Sequence, residues 1–148
     1  LSQLVNFGFG LLVLLAFVVG VWDMPGLSVL WIPFIVLIQL LVIMALALPL
    51  AYVSVFVRDM DNLIGHLLRI WFYASPIVWV RSAIPQGWSW ILDLNPMAYL
   101  LSSFSDVLLY DKSPNVSKLL VIGAGALVVI FWSTYYYSRN EHRIVKVL

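Results

Sequence analysis

The sequence predicts an all-α polytopic membrane protein with four transmembrane helices and a short outer re-entrant helical hairpin. Three observations predict it. Of 148 residues, 64% are hydrophobic and 10% are charged, a balance outside the range of soluble domains. Uncharged runs recur that are long enough to cross a hydrocarbon core of about 30 Å. Between Pro76 and Pro114 the pattern changes, and no charge-free run of 20 residues remains.

The first span is read over 1–22, which holds no charged residue and at about 1.5 Å per residue can cross the core. Asp23 to Gly26 (DMPG) is a tight turn beside an interfacial Trp22. The second span, 27–57, is 31 residues without a charge. As a helix of about 45 Å it has to tilt or bend, and Pro33 and Pro49 are the expected bends. Arg58, Asp59 and Asp61 form a polar loop in which Asp61 or Asn62 is placed to cap the next helix.

The third span, 62–80, carries His66 and Arg69 and is interrupted by Pro76. The fourth, 118–137, ends in the tyrosine belt Tyr135 to Tyr137, and a tail over 138–148 carries Arg139, Arg143 and Lys146. These cations place the C-terminus and the Arg58 loop in the cytoplasm. The 23–26 turn and residues 81 to 118 then face outward. The opening LSQLVNFGFG has neither Met nor a basic leader, so the chain is expected to be the later part of a longer protein.

The hairpin is read over 82–110 as two short helices. One covers roughly 87–94; in the other Asn95 is the N-cap, Pro96 the first helical residue, and Met97, Leu100, Leu101, Phe104 and Leu108 share a face. Irregular backbone at membrane depth is tolerated only when buried in protein or lining a watery cavity, so the breakers are expected to mark a pathway. Gly123 and Gly125 are expected to permit close packing, and Gln39 and Ser54 to bond to neighbouring helices.

Several chemistries have no residues to support them. There is no cysteine, no phosphate-binding G-x-x-x-x-G-K-[ST] and no H-E-x-x-H, and His66 and His142 lie far apart, so no metal site or cofactor is expected in this chain. A net charge of +1 gives no reason to expect nucleic acid. Asp93 and Asp106 remain open as a carboxylate pair at an outer active site, which would make the chain a membrane-embedded transferase acting on lipid-linked sugars.

Four short motifs, Arg58-Asp59, Ser75-Pro76-Ile77, Ile84-Pro85 and Asn95-Pro96, stand in the order found in the permease subunit of ABC-2 type exporters. Over about 55 residues the chain resembles the branch that moves lipid-linked polysaccharides, wall teichoic acid and O-antigen. That resemblance implies six spans in the complete permease, with the last four here. It also implies a homodimer and two copies of a cytoplasmic ABC ATPase subunit that bind ATP and Mg. Ser105 stands where many relatives carry Arg. An ABC-2 permease for small drugs or lipids is the alternative.

On that reading Arg58, Asp59 and Asp61 couple to the ATPase. The substrate path takes His66, Arg69, Trp71, Phe72, Tyr73 and Trp79, with His66, Arg69 and Tyr73 on one polar face. Arg69 is placed to meet the diphosphate of a lipid-linked glycopolymer by bidentate hydrogen bonds. Snorkelling to the headgroups is its other explanation. The outer gate takes Pro85, Trp88, Trp90, Asn95, Pro96 and Tyr99; for the aromatic residues of 71–99, anchoring among membrane lipids remains the other reading.

Overall fold

Backbone N–H and C=O groups in an apolar medium have to be satisfied within their own segment, so long uncharged runs fold as helices. The computed structural model describes residues 2–21, 26–57, 59–75 and 94–144, and within them there is helix and no strand. Helix α1 is Ser2–Val21; a 3-10 stretch, Leu27–Trp31, runs into α2, Ile32–Phe56. Then come α3, Met60–Ala74, α4, Pro96–Leu109, and α5, Val116–Ile144. Two stretches, Leu27–Phe56 and Val116–Asn140, are long and apolar enough to cross a membrane.

Several local expectations need correction. Pro33 does not bend a span midway: it lies in the first turn of α2, where its missing N–H has no partner to lose. Pro49 is inside α2 and does remove a bond from the ladder. Neither Asp61 nor Asn62 caps α3, because the helix begins earlier, at Met60. Asp59 takes the N-cap position without a side-chain cap bond, and its carbonyl accepts from the Leu63 N–H. Asn95 does cap α4, accepting from the Met97 N–H at 3.0 Å ahead of Pro96. Helix α5 continues to Ile144, so the expected tail begins as helix.

Helices α2 and α5 pack side by side and run in the same direction. A Cβ on Gly123 would lie 2.8 Å from Ile38 Cδ1, so the absent side chain lets the two helices close on each other. Some 14 residues further along both helices, the Tyr52 ring meets those of Tyr136 and Tyr137 at 5.4 and 5.6 Å. Gly125 has nothing within 4 Å of its would-be Cβ, so only Gly123 plays the packing role. Ser54 bonds to the Ala51 carbonyl of its own helix, and Gln39 Oε1 is buried without a partner among the described residues, so neither bridges helices as expected.

Two parallel helices require the chain between them to return. Among the described residues it does so in two pieces. Helix α3 runs back along the later half of α2, from Asp59 to Trp71 beside Leu46 and Leu50. Helix α4 begins beside a cleft that Met97 lines together with Ile43 and Leu46, and the loop after it brings Asp111 to the Ser28 N–H at 3.4 Å. Gly26 faces the same carboxylate, and a Cβ there would overlap it. At 15 and 14 residues, each piece is about 21–22 Å long, roughly half the length of the Leu27–Phe56 stretch and short of a crossing of about 30 Å.

The buried core lies between the first half of α2, α4 and α5. Ile32, Ile35, Ile38, Val42 and Ala45 of α2 meet Leu100, Val107 and Leu108 of α4 and Leu119 and Ala126 of α5. Leu11 and Leu15 bring α1 against this cluster, while most of its other side chains stay exposed.

Candidate functional site

The two half-length pieces meet at a small polar cluster beside the middle of α2. Trp71 Nε1–H donates to Asn95 Oδ1 at 3.0 Å, and Asn95 Nδ2 donates to Ser75 Oγ at 3.0 Å. Ser75 Oγ in turn donates to the Trp71 carbonyl at 3.0 Å. The two helix caps bring these side chains into place. Ser75 is the C-cap of α3, within reach of the carbonyl four residues back, and Asn95 is the N-cap of α4. Its carboxamide oxygen thus serves the Met97 N–H and the Trp71 indole together. Ser75 is 2% exposed; sequence reasoning counted it in the Ser75-Pro76-Ile77 motif but gave its side chain no role.

Around this cluster lie two adjoining clefts of about 620 and 590 Å³ that share Leu46, Leu50, Ile64, Leu68 and Trp71. Their lining is apolar apart from Ser54, Ser75 and Asn95. Phe72 also lines one cleft while remaining exposed. On α3 the Trp71 side thus faces α2 and α4, and His66, Arg69 and Tyr73 are exposed; the Tyr73 ring stands edge-on to Phe72 at 5.6 Å.

Tyr99 points elsewhere. Its hydroxyl donates to the Asn115 carbonyl at 3.0 Å, and Lys118 Nζ lies 5.6 Å from its ring centre, so it ties α4 to the start of α5.

Trp71, Asn95 and Pro96 therefore come together, although Trp71 was expected in the substrate path and the other two in the gate. Asp59 is exposed at the start of α3, and Asp61 lies in that helix's first turn. Arg58, Trp79, Pro85, Trp88, Trp90 and Asp93 lie outside the described residues. No group of three or more potential metal ligands occurs among the described residues.

A helical layer built on two long apolar helices, with a return path broken into half-length pieces, belongs to a membrane protein. Residues 1–109 match the ABC-2 type transporter family, and the chain belongs to that family. It is 32% identical over 144 residues to the O-antigen export system permease protein RfbA of Myxococcus xanthus, covering 95% of this chain and 55% of that protein. Two Klebsiella pneumoniae proteins of the same name are 29% identical over 137 residues and 23% over 125, covering 92% and 84% of this chain and 52% and 48% of their own lengths. The chain thus spans about half the length of the curated relatives it matches.

Proposed function

We propose that this chain forms part of the permease subunit of an ATP-driven exporter that moves a lipid-linked cell-surface polysaccharide of the O-antigen type across a bacterial plasma membrane. The observation that carries the proposal is the 32% identity to an O-antigen export permease along 95% of the chain. It runs past the half-length break as well as the long helices. Wall teichoic acid is the sister substrate class.

In this reading two copies of the permease pair with two copies of a cytoplasmic ABC ATPase, and ATP and Mg stay in the ATPase. Four spans cross within this chain, with the C-terminus and the Arg58 loop inside. Arg58, Asp59 and Asp61 receive the movement of the ATPase. The exposed stripe of His66, Arg69 and Tyr73 faces the substrate path, where the Arg69 guanidinium meets the substrate diphosphate. The segment ending in α4 is the outer gate. The chain performs no covalent chemistry.

The test is complementation. The complete permease and its ATPase are expressed in a strain that makes O-antigen but lacks its own export permease, and polysaccharide is measured on intact cells. Surface polymer should return, and an ATPase variant unable to hydrolyse ATP should abolish it. Polymer retained at the inner face, with drug or lipid efflux gained instead, would reassign the substrate. Modification of lipid-linked sugar by the permease without its ATPase would make it a transferase.

A further inference from the structure

Two motifs that are 20 residues apart, Ser75-Pro76 and Asn95-Pro96, touch each other through their polar side chains. We propose that Ser75 is a positioning residue, and that the Trp71–Asn95–Ser75 circuit is a fixed joint through which α3 and α4 move as one limb against the α2–α5 pair.

The circuit is built to stay closed. Asn95 Oδ1 accepts twice, Asn95 Nδ2 donates to Ser75, and the Ser75 hydroxyl both accepts and donates. Among the described residues, the clefts beside it are lined by apolar side chains such as Leu46, Leu50, Leu68 and Met97, with Ser54 the one other polar side chain apart from the circuit itself. Opening it would leave an amide and a hydroxyl stranded in an apolar surrounding, which is far costlier than sliding one apolar surface past another.

The rest of the limb is held differently. Between α3 and α2 lie apolar clefts, whereas α2 and α5 are locked at Ile38–Gly123 and at the Tyr52 cluster. A push on the Asp59 end of α3 thus meets weak resistance along α2 and a firm connection at Asn95. It arrives at α4.

What that movement accomplishes rests on the export reading; the joint itself does not. The complete permease with its ATPase carries spin labels at Asn62→Cys on α3 and Ser105→Cys on α4, both exposed positions in a stretch without native cysteine. The label-to-label distance should be the same with and without ATP. In S75A/N95L, which removes both ends of one bond, the distance distribution should widen at least about twofold. Export per ATP hydrolysed should fall about tenfold in S75A, while S75T, which keeps the hydroxyl, stays near the parent.

A distance in the parent protein that shifts on ATP binding would overturn the joint. So would S75A/N95L at normal membrane abundance with the parent's distance distribution and export per ATP. If the parent assembly exports no polysaccharide, the export reading fails, and the distance measurements still decide the joint.

Discussion

Gly123 and Gly125 look alike in the sequence and differ in what surrounds them. A side chain at 123 has to displace Ile38, whose methyl would be 2.8 Å from the new Cβ, whereas one at 125 enters open space. Gly123→Leu should therefore destabilise the α2–α5 contact by about 1–3 kcal/mol, the usual cost of forcing extra carbon into a packed interface. Gly125→Leu should be near neutral. Thermal unfolding of the two variants in the same detergent checks the pair, and equal losses would mean that Ile38 is not the obstacle. The Asn95 cap was readable beforehand because Asn-Pro fixes both a side-chain acceptor and a backbone φ locally. The second partner of that side chain was not readable. It comes from 24 residues away, and nothing in the local pattern around Trp71 points to it.

Near their C-terminal ends, α2 and α5 meet through the Tyr52 ring. Tyr52 touches the rings of Phe56, Tyr136 and Tyr137 with centroids 5.1, 5.4 and 5.6 Å apart, and ring pairs of this kind are worth about 0.5–1.5 kcal/mol each. Tyr52→Ala should loosen the last turns of α5, and amide exchange over 133–144 should speed up while α4 keeps its protection. Uniform acceleration through α4 would show that the ring cluster supports the whole layer. The tyrosine run was read as an interfacial belt, and that explains its composition. It does not explain why Tyr52 stands opposite. Hydropathy reports how well a helix suits lipid and says nothing of which neighbour it touches, so charge-free runs located α1, α2 and α5 while their pairing stayed hidden. The half-length of α3 was partly legible: apolar residues continue past Ser75 in the sequence, but Pro76 follows it, and Ser75 takes the extended backbone, ψ 145°, that ends the helix.

Across the whole molecule, the parallel course of α2 and α5 sorts the chain ends. The Asp111–Ser28 contact puts the turn before α2 and the loop before α5 at one end, and Asp59 and Asn140 lie at the other. With no native cysteine in this stretch, single cysteines at Ser28, Lys112, Asp59 and Asn140 can be labelled from either side of sealed vesicles. The expected pattern is that the first two react from outside and the last two from inside. Ser28 and Lys112 reacting from opposite sides would contradict the parallel packing. Of the four spans read from the sequence, two are long and apolar enough to cross among the described residues, Leu27–Phe56 and Val116–Asn140; α3, which overlaps the expected 62–80 span, and α4 are each too short.

The shared direction of α2 and α5 has an electrical consequence as well. Their peptide dipoles add, so two negative carbonyl ends converge on the face where the tyrosines cluster, each equivalent to roughly half an elementary charge. Arg139, whose guanidinium lies 4.9 Å from the Tyr135 ring centre, stands one turn before the end of α5, with Arg143 and Lys146 following in the sequence. Arg139 is thus a cation near the end of α5, placed to counter the carbonyl ends of a pair of aligned helices, and neutralising it would leave that face of the protein more negative.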